Sequence, residues 1–151
     1  MNNEMRELYQ QMILSHNKNP KNFRVIEDPS HYAEGHNPLC GDNLDVYLQI
    51  DDDNIILDIS FQGSGCAISK SAASMMTEVL KGKTVEQAEE LFDQYHDLVT
   101  GKLNPDKDSH ELGKLTIFSG IWEYPARVKC ASLSWHTTKA ALNNEDVCST
   151  E

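Results

Sequence analysis

Residues 44–66 read LDVYLQIDDDNIILDISFQGSGC, two alternating segments separated by an acidic one. Apolar side chains occupy every second position in each half, which is the pattern of a β-strand with one buried face. These positions are Leu44, Val46, Leu48 and Ile50 in the first half and Ile55, Leu57, Ile59 and Phe61 in the second. The acidic segment 51–54 predicts an exposed turn, because a calcium loop has a longer pattern of ligands. The stretch therefore predicts a β-hairpin with one apolar face.

Helical periodicity flanks the hairpin on both sides. Residues 4–16 carry apolar side chains at helical spacing, and Gly63 and Gly65 allow a sharp turn into a second helix after the hairpin. Three helices are predicted in this second part of the chain, over residues 68–80, 85–98 and 126–142. Thr84 and Gln87 form a possible capping box at the start of the second, and Pro125 suits the first turn of the third.

The remaining segments complete an α+β prediction. Residues 21–43 show no period and predict a long ordered loop, residues 101–113 predict a polar loop or insertion, and residues 115–122 predict a third strand. Residues 143–151 predict a frayed acidic tail. We therefore expect one domain over residues 1–142, with a small antiparallel β-sheet of about three strands packed against helices.

Composition narrows the class of protein. The chain has 151 residues and a formal net charge of -11, which disfavours binding to nucleic acid and to anionic membranes. No apolar run approaches the length of a membrane span, and the amino-terminal residues lack the apolar core of a signal peptide. We therefore expect a cytoplasmic protein. Its four cysteines are then not expected to form disulfides.

Three cysteines and one aspartate lie where the predicted elements begin or end. Cys40 lies between Pro38 and Gly41, and Asp42 follows it by two residues. Cys66 opens a predicted helix, where the helix dipole favours a thiolate and so favours metal binding. Cys130 follows the predicted start of the last helix. Alone, each cysteine is more typical of a small buried side chain, but together with Asp42 they predict a four-coordinate metal site.

Other chemically active side chains have weaker patterns. Arg127 lies three residues before Cys130, on the same side of the predicted helix, and is a candidate to stabilise a thiolate or an anionic persulfide. A surface ion pair is the alternative for this arginine. Cys148 lies in the predicted tail and is expected to have no role. The six histidines show no mutual spacing of metal ligands.

The cysteine motifs resemble those of one family. Residues 37–42 (NPLCGD), 65–69 (GCAIS) and 124–130 (YPARVKC) are similar to the three motifs of the IscU/NifU N-terminal family of iron–sulfur assembly proteins. The resemblance runs from the first helix to about residue 142. Within the family the chain resembles the SufU branch, because Lys129 stands where IscU proteins have a histidine and because residues 101–113 resemble the extra segment of SufU proteins.

The resemblance implies a fold, a metal and a reaction. It implies a SufE/IscU-like fold and Zn²⁺ held by Cys40, Asp42, Cys66 and Cys130. It also implies a sulfurtransferase in iron–sulfur cluster assembly, whose acceptor Cys40 takes persulfide sulfur from a SufS-type, pyridoxal-phosphate-dependent cysteine desulfurase. Downstream iron–sulfur assembly proteins are the other implied partners.

Two alternatives to the sulfurtransferase stay open. The first is a scaffold that transiently holds an iron–sulfur cluster, since three cysteines and Asp42 also suit a cluster. Lys129 in place of the histidine favours the sulfurtransferase over this alternative. The second is a purely structural zinc domain, which the glycines beside the ligands disfavour because they indicate an accessible site.

Overall fold

The computed structural model describes residues 3–149 of the chain. In chain order the described part contains α1 (Asn3–Lys18), β1 (His31–Asn37), β2 (Asp42–Ile50), β3 (Ile56–Ser64), α2 (Ala67–Leu80), α3 (Val85–Val99), α4 (Pro125–Leu142) and β4 (Val147–Ser149). Two short 3₁₀-helices, Gly113–Phe118 and Ile121–Glu123, lie between α3 and α4. The predicted α+β class and the predicted helices are confirmed.

The strands form one four-stranded mixed sheet in the order β3-β2-β1-β4. β2 pairs antiparallel with both β1 and β3, which confirms the predicted hairpin, while β4 pairs parallel with β1. A register shift between Gln49 and Ile50 places Ile56 in the core and leaves Leu57 52% exposed. The prediction that Leu57 faces inward is therefore wrong, because the shift moves the start of β3 by one position.

The helices cover the apolar face of the sheet. α4 packs against β1 and β2, α2 packs against α4 and β3, and α1 packs against α2. Trp135 of α4 stacks on Tyr95 of α3 with 4.6 Å between ring centroids, and the Tyr95 hydroxyl donates to the carbonyl of Ala131 at 2.7 Å. This packing joins α3 to α4 within the layer of helices. No helix within residues 3–149 combines the length and apolar character needed to cross a bilayer.

β1 lies inside the segment predicted to be a long loop, so that prediction is wrong for residues 31–37. The inward positions of β1 are Ala33, Gly35 and Asn37, all fully or almost fully buried. Small size is required here, because a Cβ on Gly35 would overlap Oγ1 of Thr137 in α4. An inward face without large apolar side chains gives no alternating signal in the sequence.

Two further expectations are corrected. Residues 115–122, predicted as a strand, instead belong largely to the 3₁₀-helices, in which Leu115 and Phe118 are buried three residues apart. The predicted tail contains β4, so residues 147–149 are not frayed: the Glu34 amide donates to the Asp146 carbonyl at 2.8 Å beside this pairing. The last two residues of the predicted tail and the first two of the predicted domain lie outside the described residues.

Candidate metal centre

The loop between β1 and β2 presents the first cysteine. Asn37 and Asp42 are paired opposite one another in the antiparallel register, so residues 38–41 form a short connection. The Cys40 amide donates to the Asn37 carbonyl at 3.3 Å, and Gly41 has a φ of 72°, in the left-handed region that favours glycine. Cys40 is exposed at the tip of this loop, whereas Asp42 at its end is only 1% exposed.

The Asp42 carboxylate is held by three donors. The Cys66 amide donates to Oδ1 at 2.9 Å, and the Ser69 hydroxyl donates to Oδ2 at 2.6 Å. The Asn37 side-chain amide lies 3.5 Å from the same Oδ2. Within residues 3–149 no lysine, arginine or histidine forms an ion pair with this buried carboxylate. Neutral donors therefore fix its orientation and leave its negative charge without a cation.

Cys66 forms the N-cap of α2, as its position before the predicted helix indicated. Its Sγ accepts from the Ser69 amide at 3.4 Å and lies 4.0 Å from Oδ2 of Asp42. A side chain on the preceding Gly65 would be crowded, since a Cβ there would lie 3.0 Å from Oδ1 of Asp42 and 3.1 Å from Cβ of Ser69. The glycine thus lets the start of α2 approach the aspartate closely.

Cys130 enters the site from α4 and is only 3% exposed. Its Sγ lies 3.3 Å from Sγ of Cys40 and 3.6 Å from Nδ2 of Asn37. Burial raises the pKa of the Cys130 thiol, and its contacts with the Cys40 and Cys66 thiols raise this pKa further. Burial is therefore the largest influence on the pKa of this thiol.

The four predicted ligands lie together. One ligand atom from each of Cys40, Asp42 and Cys130 falls within 4.8 Å of the others, and Cys66 Sγ adjoins this group through Asp42. Soft thiolates combined with one carboxylate form a donor set that suits Zn²⁺. A divalent cation would also supply the missing partner of the buried carboxylate. The residues present therefore fit zinc.

Two buried residues that complete this site were not assigned a role from the sequence. Ser69 contacts Asp42, Cys66 and, through a 3.2 Å hydrogen bond to its carbonyl, Cys130. Asn37 contacts Asp42 and both Cys40 and Cys130. The position of Ser69, three residues after an N-cap, is the one signal in the sequence that indicates a contact with Cys66.

Two residues considered in the sequence analysis, Arg127 and Cys148, lie outside the group formed by the four predicted ligands. Arg127 is exposed, and its guanidinium lies 4.8 Å from the ring centroid of Tyr124. No hydrogen bond or ion pair joins it to Cys130 among the described residues. Cys148 lies in β4, where burial, followed by Glu145, raises the pKa of its thiol. It lines a cavity of about 320 Å³ with Lys129 and shares no ligand group with the other cysteines among residues 3–149.

Comparison with known proteins assigns the chain to a family. The family model of the NifU-like N-terminal domain matches residues 8–131, which is most of the chain. The chain belongs to the NifU-like N-terminal domain family. This confirms the resemblance that the three cysteine motifs indicated.

Relatives in this family include two named types of protein. The zinc-dependent sulfurtransferase SufU of Bacillus subtilis is 40% identical over 139 residues, covering 92% of each chain. The iron–sulfur cluster assembly scaffold protein IscU of Streptococcus pyogenes is 34% identical over 139 residues, covering 92% of this chain and 85% of the relative. These identities fit a SufU-type member of the NifU-like N-terminal family.

Solved structures agree with this placement. The SUF-system protein FiSufU from Fervidobacterium islandicum superposes with a TM-score of 0.81 at 35% identity, covering 90% of this chain and 97% of that one. The amino-terminal part of a NifU-like protein from Brucella abortus superposes with a TM-score of 0.73 at 23% identity and so supports the fold alone. The NifU-like fold is thus shared over nearly the whole chain.

Proposed function

We propose that the protein is a zinc-dependent sulfurtransferase of iron–sulfur cluster assembly, which accepts persulfide sulfur from a pyridoxal-phosphate-dependent cysteine desulfurase. The observation that carries the proposal is the contrast between the exposed Cys40 and the buried groups behind it. Cys130 and Asp42 are nearly inaccessible, whereas Cys40 lies at the tip of a loop. An acceptor must meet a partner's persulfide, and within residues 3–149 only Cys40 combines that exposure with membership of the candidate metal-ligand group.

The metal would be held by Cys40, Asp42, Cys66 and Cys130. When bound, zinc supplies positive charge that favours the deprotonated form of the thiols around it. The chain's own contribution is to fix the direction of the ligands: Ser69 and Asn37 both contact Oδ2 of Asp42, and the N-cap geometry holds Cys66. Such buried hydrogen bonds around ligands typically tune metal affinity.

Sulfur transfer is then an exchange between two cysteines. The Cys40 thiolate attacks the outer sulfur of the partner's persulfide, a new S–S bond forms at Cys40, and the partner's thiolate leaves. No net oxidation occurs, because one persulfide replaces another. Exposed Leu39, 64% accessible, lies next to Cys40 and offers apolar surface to the partner. We keep Arg127 as a proposed cation for the anionic persulfide; its exposed guanidinium packs on Tyr124 and makes no contact with the cysteines among the described residues, so it would have to move toward Cys40.

A desulfurase assay tests the proposal. Zinc-loaded protein is mixed with a SufS-type desulfurase, L-cysteine and pyridoxal phosphate, and alanine formation is measured. Wild type and Cys148→Ser should both increase desulfurase turnover, whereas Cys40→Ser should not, because a hydroxyl cannot carry sulfane sulfur. A brown protein with charge-transfer absorption and unchanged desulfurase turnover would instead support the scaffold function, which the IscU relatives represent.

A further inference from the structure

Cys130 places a buried thiol directly behind the proposed sulfur acceptor. Its Sγ lies 3.3 Å from Sγ of Cys40, within the range of about 3–3.5 Å at which bound groups are poised to react. Cys66, by comparison, faces Oδ2 of Asp42 at 4.0 Å, and no hydrogen-bond contact joins it to Cys40 among the described residues. Cys130 also contacts the Cys66 thiol, but among the described residues the 3.3 Å pair of Cys40 and Cys130 is the one that joins an exposed sulfur to a buried one.

We propose that Cys130 is a resolving thiol, which releases the sulfur accepted by Cys40 as sulfide when the site is free of metal. This activity rests on the proposed function, because it begins with a persulfide on Cys40. Cys130 attacks the inner sulfur of that persulfide, a Cys40–Cys130 disulfide forms, and the outer sulfur leaves. The balance is Cys40–S–SH plus Cys130–SH giving Cys40–S–S–Cys130 plus H₂S.

This step needs no external oxidant or reductant, because the electrons come from the chain's own cysteines. The outer sulfur is reduced to sulfide by two electrons, and the two cysteines are oxidised to a disulfide. The proton of the Cys130 thiol leaves with the departing sulfide. A dithiol reductant then resets the disulfide by thiol–disulfide exchange, which frees Cys40 for another acceptance.

Cys40 and Cys130 have different surroundings, so sulfur is accepted at one cysteine and released by the action of the other. Cys130 is 3% exposed, so an external persulfide meets Cys40 first. Cys130 is fixed in α4, whereas Cys40 lies on a short loop beside Gly41, whose φ is 72°. A disulfide needs the sulfurs to close from 3.3 Å to about 2.05 Å. Movement of this loop supplies the approach, and metal binding blocks it by engaging both sulfurs as ligands.

The test uses metal-free protein and no desulfurase. The chain is loaded with glutathione persulfide, the excess donor is removed by gel filtration, and sulfide release, free thiols and cross-linked peptides are measured without reductant. Wild type and Cys148→Ser should release close to one sulfide per chain, lose two thiols and yield a Cys40–Cys130 peptide. Cys130→Ser should retain sulfur on Cys40 and release sulfide at least about tenfold more slowly, because the poised nucleophile is gone.

The outcomes separate this inference from the proposed function. A stable persulfide on Cys40 of the wild type, sulfur transferred onto Cys130, or a disulfide to Cys66 overturns the resolving role while leaving acceptance by Cys40 intact. Absence of sulfur on Cys40 overturns both proposals. If Cys130→Ser fails to fold, as judged by circular dichroism, the cross-linked peptide and sulfide yield of the wild type still decide the question.

Discussion

The hydroxyl of Ser69, in the first turn of α2, donates a 2.6 Å hydrogen bond to Oδ2 of Asp42, at the start of β2. Both residues are buried, and they lie 27 positions apart in the chain. The contact therefore ties the helix that carries Cys66 to the strand that follows the Cys40 loop. It makes the orientation of the proposed metal ligands depend on a residue that is not itself expected to bind the metal.

Ser69→Ala tests this dependence. It removes the shortest hydrogen bond to a buried carboxylate, so we expect the free energy of unfolding of the metal-free protein to fall by about 1–3 kcal/mol. Zinc affinity should fall by about 10–100-fold, as for other residues that orient ligands. Ser71→Ala is the matched control, since Ser71 is equally buried in α2 but its hydroxyl donates to the Ile68 carbonyl. Equal zinc affinities for the two variants, measured by competition with a chelator, would contradict the prediction.

Asn37 of β1 also supports the site through its side-chain amide. Two substitutions at this position distinguish loss of the donor from the addition of a negative charge. Its Nδ2 lies between Oδ2 of Asp42 and Sγ of Cys130, while its Oδ1 is buried without a hydrogen-bond partner among the described residues. Asn37→Ala removes the donor, and we expect weaker zinc binding. Asn37→Asp keeps the size but adds a negative charge beside Asp42. The metal-free protein should therefore be less stable with Asp than with Ala, as measured by urea unfolding at pH 7.

The reverse order of stability for the two Asn37 variants would contradict this account. It would mean that keeping Oδ1, which Asp retains and Ala lacks, matters more to the stability of the metal-free protein than the loss of the donor Nδ2 and the added charge.

The ion pair between Arg24 and Asp58 predicts a pH dependence away from the metal site. The Arg24 guanidinium, 2.6 Å from Oδ1 of Asp58, lowers the pKa of that carboxyl, with a further contribution from Lys81. A folded-state pKa below the unfolded value of about 3.9 stabilises the protein above that pH, and this stability is lost as the pH falls through the folded-state pKa. Asp58→Asn should therefore be less stable than wild type at pH 7, with a smaller difference near about pH 3.

Urea unfolding at both pH values measures this difference. Asp52→Asn, at an exposed position in the turn before β3, is the control and should show little change at either pH. A constant difference between Asp58→Asn and wild type across the pH range would show that the ion pair does not cause it.

The strands and helices predicted correctly are those with large apolar side chains on one face. The hairpin and α3 have this pattern, and the capping box of Thr84 and Gln87 forms as predicted. β1 was missed because its inward face has no large apolar side chain, and at Gly35 this is required by contact with Thr137, about 100 positions away in the chain. β4 was missed because it is held by backbone pairing to β1 and not by an apolar face of its own.

The grouping of the candidate ligands could be predicted from the sequence, whereas the hydrogen bonds that support them could not. Each cysteine alone is more typical of a small buried side chain, but three cysteines and an aspartate at the ends of elements together indicate a metal site. The hydrogen bonds from Ser69 and Asn37 depend on how α2 and β1 meet, and serines and asparagines are common at element ends for other reasons. Packing between elements distant in the sequence determines these contacts.

The most direct test of the sulfurtransferase account is peptide mass mapping after turnover. Zinc-loaded protein is incubated with a cysteine desulfurase, L-cysteine and pyridoxal phosphate, and its thiols are alkylated without reductant before digestion. One additional sulfur atom is expected on the peptide containing Cys40, and on neither the Cys66 nor the Cys148 peptide. Additional sulfur on Cys66 or Cys130 with Cys40 unmodified, or no additional sulfur on any cysteine, would contradict it.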